Sequence, residues 1–75
     1  FSTQPTVRRI TRALRNFNDK DYLLMSGDPV CIGIACAIAA SNNMGRFNLL
    51  KWDRLEETYY PLKVDIYQKE TKHGL

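Results

Sequence analysis

The chain has 75 residues, a net charge of +3 and 44% hydrophobic residues. That length makes one domain, and a domain this small hides too little surface to build a large core. Two cysteines do not make a disulfide scaffold, and the longest apolar run, residues 30–40, is shorter than the roughly 20 residues that span a membrane. The charge is unevenly placed. Through residue 20, five positives stand against one negative, whereas the remainder carries six positives and seven negatives. A basic N-terminal segment therefore precedes a near-neutral body, a distribution that suits an acidic partner.

Residues 1–5 read as an arm. Thr6 then suits a helix N-cap, with a helix over 7–17. Val7, Ile10, Leu14 and Phe17 recur at spacings of three, four and three, which is one apolar stripe at helical period. Arg8, Arg12 and Arg15 fall away from that stripe, with Arg9 at its flank. Four arginines on such a face either solubilise the helix and pair with carboxylates or meet an acidic partner, protein or nucleic acid. Asn16, Asn18 and Asp19 end the segment.

Residues 22–25 form a continuous apolar run, the pattern of a strand buried on both faces. Ser26-Gly27-Asp28-Pro29 follows as a strand-to-helix turn. Asp28 is placed to cap the next helix, and Pro29 suits its first position, where a missing N–H costs nothing. A turn after a parallel strand is also where open α/β sheets bind anions, so Ser26, Gly27 and Asp28 are a possible ligand site. Against that, the Asp28 carboxylate occupies the place a phosphate would take, and no glycine-rich phosphate loop is present.

The helix beginning at Pro29 runs to residue 40 or 42 with almost no polar face, so it should be covered on several sides. Gly33, Ala37 and Ala40 make a strip of small residues that admits a close neighbour, and Ile32, Gly33, Cys36, Ala37 and Ala40 are the expected interface. Cys31 and Cys36 are five apart, about 500° around a helix, so they point different ways and read as small buried hydrophobes. Gly45 is suited to the left-handed conformation at a helix exit.

Residues 46–53 read as a second strand, with Phe47, Leu49 and Lys51 on one face and Asn48, Leu50 and Trp52 on the other. After a charged turn, residues 59–66 alternate as a third strand with one buried and one wet face. Pro61 cannot donate to a ladder and places that strand at an edge. Residues 68–75 read as a frayed tail. The fold class is therefore α/β: a small single domain, core 6–67, order α-β-α-β-β, with a three-stranded mixed sheet. It combines one parallel β-α-β unit with a C-terminal hairpin.

Catalytic constellations are scarce. His73 is the sole histidine and stands in the tail, and Ser26 and Ser41 have no adjacent base. Asp53 and Asp65 are the carboxylates with a chance of meeting across the hairpin. Trp52, Tyr59 and Tyr60 offer stacking if the sheet exposes them. The expectation is no enzyme, no cofactor and no metal. Two helices and three strands are too few to cover so apolar a helix, and each fully exposed Ile forgoes about 1.5–3 kcal/mol of burial. Self-association or a place in a larger assembly, through this helix and an open sheet edge, is the expected function.

The span 21–66 carries Asp-Tyr-Leu-Leu-Met-Ser-Gly-Asp-Pro, the Ile/Ala helix, Gly-Arg-Phe-Asn-Leu-Leu-Lys-Trp-Asp-Arg and Tyr-Tyr-Pro-Leu-Lys-Val-Asp-Ile. It resembles short proteins encoded by tailed phages, including phages of cyanobacteria. The resemblance covers about two thirds of the chain. Those proteins mostly have no assigned activity, so no catalytic or binding residue carries over. It implies a viral origin and a place in the virion or the cytoplasm of the infected host. Separately, no secretory signal is visible in the sequence, so secretion is not expected.

Overall fold

A computed structural model describes residues 2–68. Phe1 of the expected arm and residues 69–75 of the expected tail, His73 among them, lie outside the described residues. The elements are α1 (Gln4–Ala13), β1 (Tyr22–Leu24), α2 (Pro29–Asn42), β2 (Arg46–Asp53) and β3 (Thr58–Asp65), in the expected α-β-α-β-β order. They form one sheet of order β1-β2-β3. β1 runs parallel to β2, and β3 antiparallel to it.

α1 begins and ends earlier than its sequence pattern suggests. Pro5 lies in its first turn, where fixed φ and a missing N–H are tolerated, so the helix takes in part of the expected arm. Thr3, not Thr6, is the N-cap, and its side chain makes no capping bond. At the other end Leu14 is the C-cap and residues 14–16 turn. Local polar bonds favour that exit. The Asn18 backbone N–H donates to Asp21 Oδ2 at 2.9 Å, and that of Lys20 to Asn18 Oδ1 at 2.8 Å.

α2 starts as its sequence dictates. Asp28 is extended, and its Oδ1 accepts the Val30 N–H at 2.9 Å. Gly27 ahead of it sits at φ +111°, which strongly favours glycine. The exit is a Schellman-type turn: the Gly45 N–H donates to the Ala40 carbonyl at 2.7 Å. The residue in the left-handed position of that motif is Met44, at φ 54°. Gly45 has positive φ as well, and a Cβ there would lie 2.5 Å from the Tyr67 ring.

The register assigns each side chain to a face. Leu23, Phe47, Leu49, Lys51, Tyr60, Leu62 and Val64 share one face. α2 lies over β2 on that side, and α1 lies against α2. Tyr22, Leu24, Asn48, Leu50, Trp52, Tyr59, Pro61 and Lys63 share the other. β1 is thus buried on one face only, contrary to the two-sided burial its unbroken apolar run suggests: Leu23 is half-buried, whereas Tyr22 and Leu24 are exposed. Among the described residues nothing beyond the loop ahead of β1 covers the far face, so apolar character at Tyr22 and Leu24 does not translate into burial.

β3 is an edge strand, as Pro61 requires. Leu50, its partner, turns its carbonyl toward β1 to accept the Met25 N–H at 2.9 Å. Leu50 and Pro61 are therefore a non-hydrogen-bonded pair, and the Pro61 nitrogen faces the open edge. Among the described residues the fully sequestered apolar core is very small, Ala39 at 0% and Phe17 at 8% exposure.

Candidate functional site

α2 contains no charged residue over its 14 positions. At 100° per residue, Ala39 marks its inner side, and Ile32 and Ala35 line an apolar groove of about 210 Å³ with Ile10, Leu23 and Cys31. The opposite line is Val30, Gly33, Ala37 and Ser41, and all four are exposed. Val30 remains 59% accessible, and among the described residues nothing lies within 4 Å of a Cβ built on Gly33.

The expected interface therefore divides. Gly33 and Ala37 face solvent, Cys36 and Ala40 are half-buried flanks, and Ile32 turns inward and leaves the set. Val30 and Ser41 belong to the outward line, and helical angle arithmetic alone finds them once Ala39 is known to face inward. Both cysteines are free, and burial pushes the Cys36 thiol pKa up.

The arginines of the N-terminal segment are all exposed. Arg8, Arg9 and Arg12 stand on α1, whereas Arg15 lies in the turn after it, so helical spacing does not extend to the fourth. The ion pair found among the described residues, Arg46 Nε to Asp19 Oδ1 at 3.2 Å, does not involve them. Arg12 also borders a groove of about 450 Å³ with Asn16, Asn18, Asp21 and Tyr22.

Of the turn residues, Asp28 is committed to its own helix. One carboxylate oxygen caps Val30, and the other accepts from the Cys31 thiol at 3.9 Å. Ser26 alone of the three lines the neighbouring apolar groove. Asp53 and Asp65 do not meet, since they pair with Thr58 and Arg46 at opposite ends of the hairpin. Asp53 instead accepts the Leu55 N–H at 2.9 Å and shapes the turn. Among the described residues, no cluster of three or more His, Cys, Asp or Glu is placed to hold a metal, and no helix is long and apolar enough to cross a membrane.

The sequence pattern missed a polar clamp. Asp19 accepts from Asn43 Nδ2 at 2.7 Å and from Arg46, and its backbone carbonyl accepts from Asn48 Nδ2 at 2.7 Å. The Asn43 amide, then the Arg46 guanidinium, hold the Asp19 carboxyl below the usual carboxylate range. Asn48 is buried, and its bonds tie the loop ahead of β1 onto the central strand. Its place between Phe47 and Leu49 in a strand was the available signal, because a buried amide there needs partners from elsewhere.

Fold and surface together define a small α/β domain whose apolar elements are only partly covered by the described residues. The chain belongs to the Phage Pam3 gp32-like protein family, whose model matches residues 1–66. It is thus a phage-family protein, in line with the resemblance carried by residues 21–66. No curated protein and no solved structure matches it.

Proposed function

We propose that the chain is a non-enzymatic assembly or interaction module of the phage, in the virion or the infected host, that associates with itself through the outward face of α2. One observation carries this reading: a helix without a single charge leaves the line Val30, Gly33, Ala37 and Ser41 open to water. A helix exposed on one side ordinarily carries polar residues there. Small residues at every fourth position let a second helix approach closely, and in lipid-free surroundings the burial of Val30 and the flanking Ile34 and Ile38 adds the apolar drive. The sheet edges contribute less. Pro61 removes a donor from the middle of the β3 edge, and β1 is only three residues long. Sedimentation velocity over a concentration series tests the proposal: the mass should rise with concentration, and a strict monomer throughout rejects it.

A second reading rests on the exposed arginines, which find no carboxylate among the described residues. They suit an acidic partner, a protein face or nucleic acid. Binding of a DNA or RNA oligonucleotide should then weaken with added salt and fall in the Arg8→Ala, Arg12→Ala double variant. Binding that is unchanged in that variant excludes the site.

A further inference from the structure

Arg12 and Tyr22 are ten residues apart in the chain and meet in space. The loop between them brings the end of α1 beside the start of β1, and the two wall a groove of about 450 Å³ with Asn16, Asn18, Asp21 and the buried Phe17. Polar bonds hold the loop in shape: the Asn18 N–H donates to Asp21 Oδ2 at 2.9 Å, and Asn18 Nδ2 donates to the Asn16 carbonyl at 3.3 Å. Three side chains around the groove stay uncommitted. The Arg12 guanidinium and the Asn16 amide make no hydrogen bond or ion pair among the described residues, and Tyr22 is 47% exposed.

We propose that this groove binds single-stranded nucleic acid, with an unpaired base lying on Tyr22 and a phosphate on Arg12. Such a site rests on the reading that the exposed arginines meet an acidic partner, and it names that partner. Charge selects a polyanion. Residues 8–22 carry five positives, Arg8, Arg9, Arg12, Arg15 and Lys20, against Asp19 and Asp21. Asp19 is already engaged by Asn43 and Arg46, and Asp21 accepts from the loop backbone. Beyond the loop, Arg46 and Lys63 stand with Asp19 and Asp65 and add no net charge, so the attraction comes from α1 and the loop. Arg8 and Arg12 are one helical turn apart, roughly 6 Å along the axis, and make a track of cations that leads to the groove.

The ring selects a single strand over a duplex and over an acidic protein. A carboxylate-bearing peptide has use for the arginines but none for a tyrosine face, whereas every base stacks on one. In a duplex the base faces are covered by their neighbours, and only unstacked bases reach an aromatic side chain. The Asn16 amide, in the same groove, donates and accepts and so suits a base edge or a sugar hydroxyl. β1 is an edge strand, so among the described residues no further strand closes that side. Trp52 and Tyr59, the other exposed rings of this sheet face, lack the charge: the turn beside them has Asp53, Glu56 and Glu57 against Arg54.

Fluorescence anisotropy tests this with a labelled single-stranded DNA of about six nucleotides, titrated between ~20 and ~200 mM salt. The same sequence as a duplex, and polyglutamate, serve as competitors. The single strand should bind more tightly than the duplex and weaken with salt. Tyr22→Val, which keeps strand propensity and removes the ring, should weaken binding at least about fivefold at an unchanged salt slope, and Tyr22→Phe should bind as wild type does. Arg12→Ala should weaken binding and lower the slope of log K against log salt by about 0.7, the share of one phosphate on a single strand. Circular dichroism checks that each variant folds. If Tyr22→Val does not, the wild type decides: the Tyr22 ring resonances should move in NMR spectra as the oligonucleotide is added. The proposal is overturned if the single strand does not bind at the lowest salt, if duplex or polyglutamate competes as well as the single strand, or if neither Tyr22→Val nor the ring resonances respond. Loss of binding in the Arg8→Ala, Arg12→Ala double variant with wild-type binding in Tyr22→Val removes the groove and leaves the basic surface standing. Arginine-dependent binding of polyglutamate alone makes the acidic partner a protein, and binding of neither removes both readings.

Discussion

Replacing Gly33 by arginine separates the packing of α2 within the chain from its packing against a partner. Among the described residues a Cβ at this position meets nothing within 4 Å, which leaves room for a long side chain. Gly33 is also in the interior of α2, where glycine is about 0.8–1 kcal/mol worse than alanine and arginine is close to alanine. The isolated monomer should therefore gain roughly 0.6–0.8 kcal/mol, a rise in Tm of about 3–6 °C for a domain of this size. Association through α2 should be lost, because the side chain occupies the closest approach and brings a charge into an apolar contact. Thermal melting followed by circular dichroism at low concentration reads the first effect, and sedimentation velocity at high concentration reads the second. A variant that melts below wild type at low concentration would show that Gly33 is packed inside the monomer. One that is stabilised and still associates through α2 would refute the assignment of its outward face.

Met44→Gly should raise stability by about 0.5–1 kcal/mol, since a residue at φ 54° is relieved and the exposed Met44 side chain has little packing to lose; denaturant melts check this. Asn48→Ala should cost about 1–3 kcal/mol, because the Asp19 carbonyl loses its donor at 2.7 Å, and hydrogen exchange in the loop ahead of β1 should quicken. The Asp19 carboxyl has a lower pKa folded than unfolded, so its contribution is full above the unfolded value near 3.9 and lost as pH falls through the folded one. Melting temperature should accordingly drop on acidification below about pH 4–5, and Asp19→Asn should flatten part of that drop. An acid limb unchanged in the variant would remove Asp19 as a contributor.

Local signals were legible wherever a few neighbouring residues settle the backbone. Asp28 followed by Pro29 marks the start of α2 because cap and fixed φ act within one turn. Pro61 marks an edge strand because its ring removes a ladder donor wherever the strand lies. The order α-β-α-β-β follows from periodicities of the same short range. α1 was misplaced at both ends because Pro5 reads equally well as arm or first turn, and because its exit depends on bonds among Asn18, Lys20 and Asp21.

The surfaces that matter for function were decided by tertiary structure. In a helix apolar all round, no residue type distinguishes inside from outside. Only the placement of α2 over β2, with α1 alongside, turns Ile32 inward and leaves Val30, Gly33, Ala37 and Ser41 open. Likewise Tyr22, Trp52 and Tyr59 come from three strands, and it is strand register that sets them on one face while sending Tyr60 to the other. Sequence by itself determined that this chain holds more apolar surface than so small a domain covers with ease. Tertiary structure decided where the excess lies, because burial depends on which elements stack, and among the described residues both helices lie on one side of the three-stranded sheet.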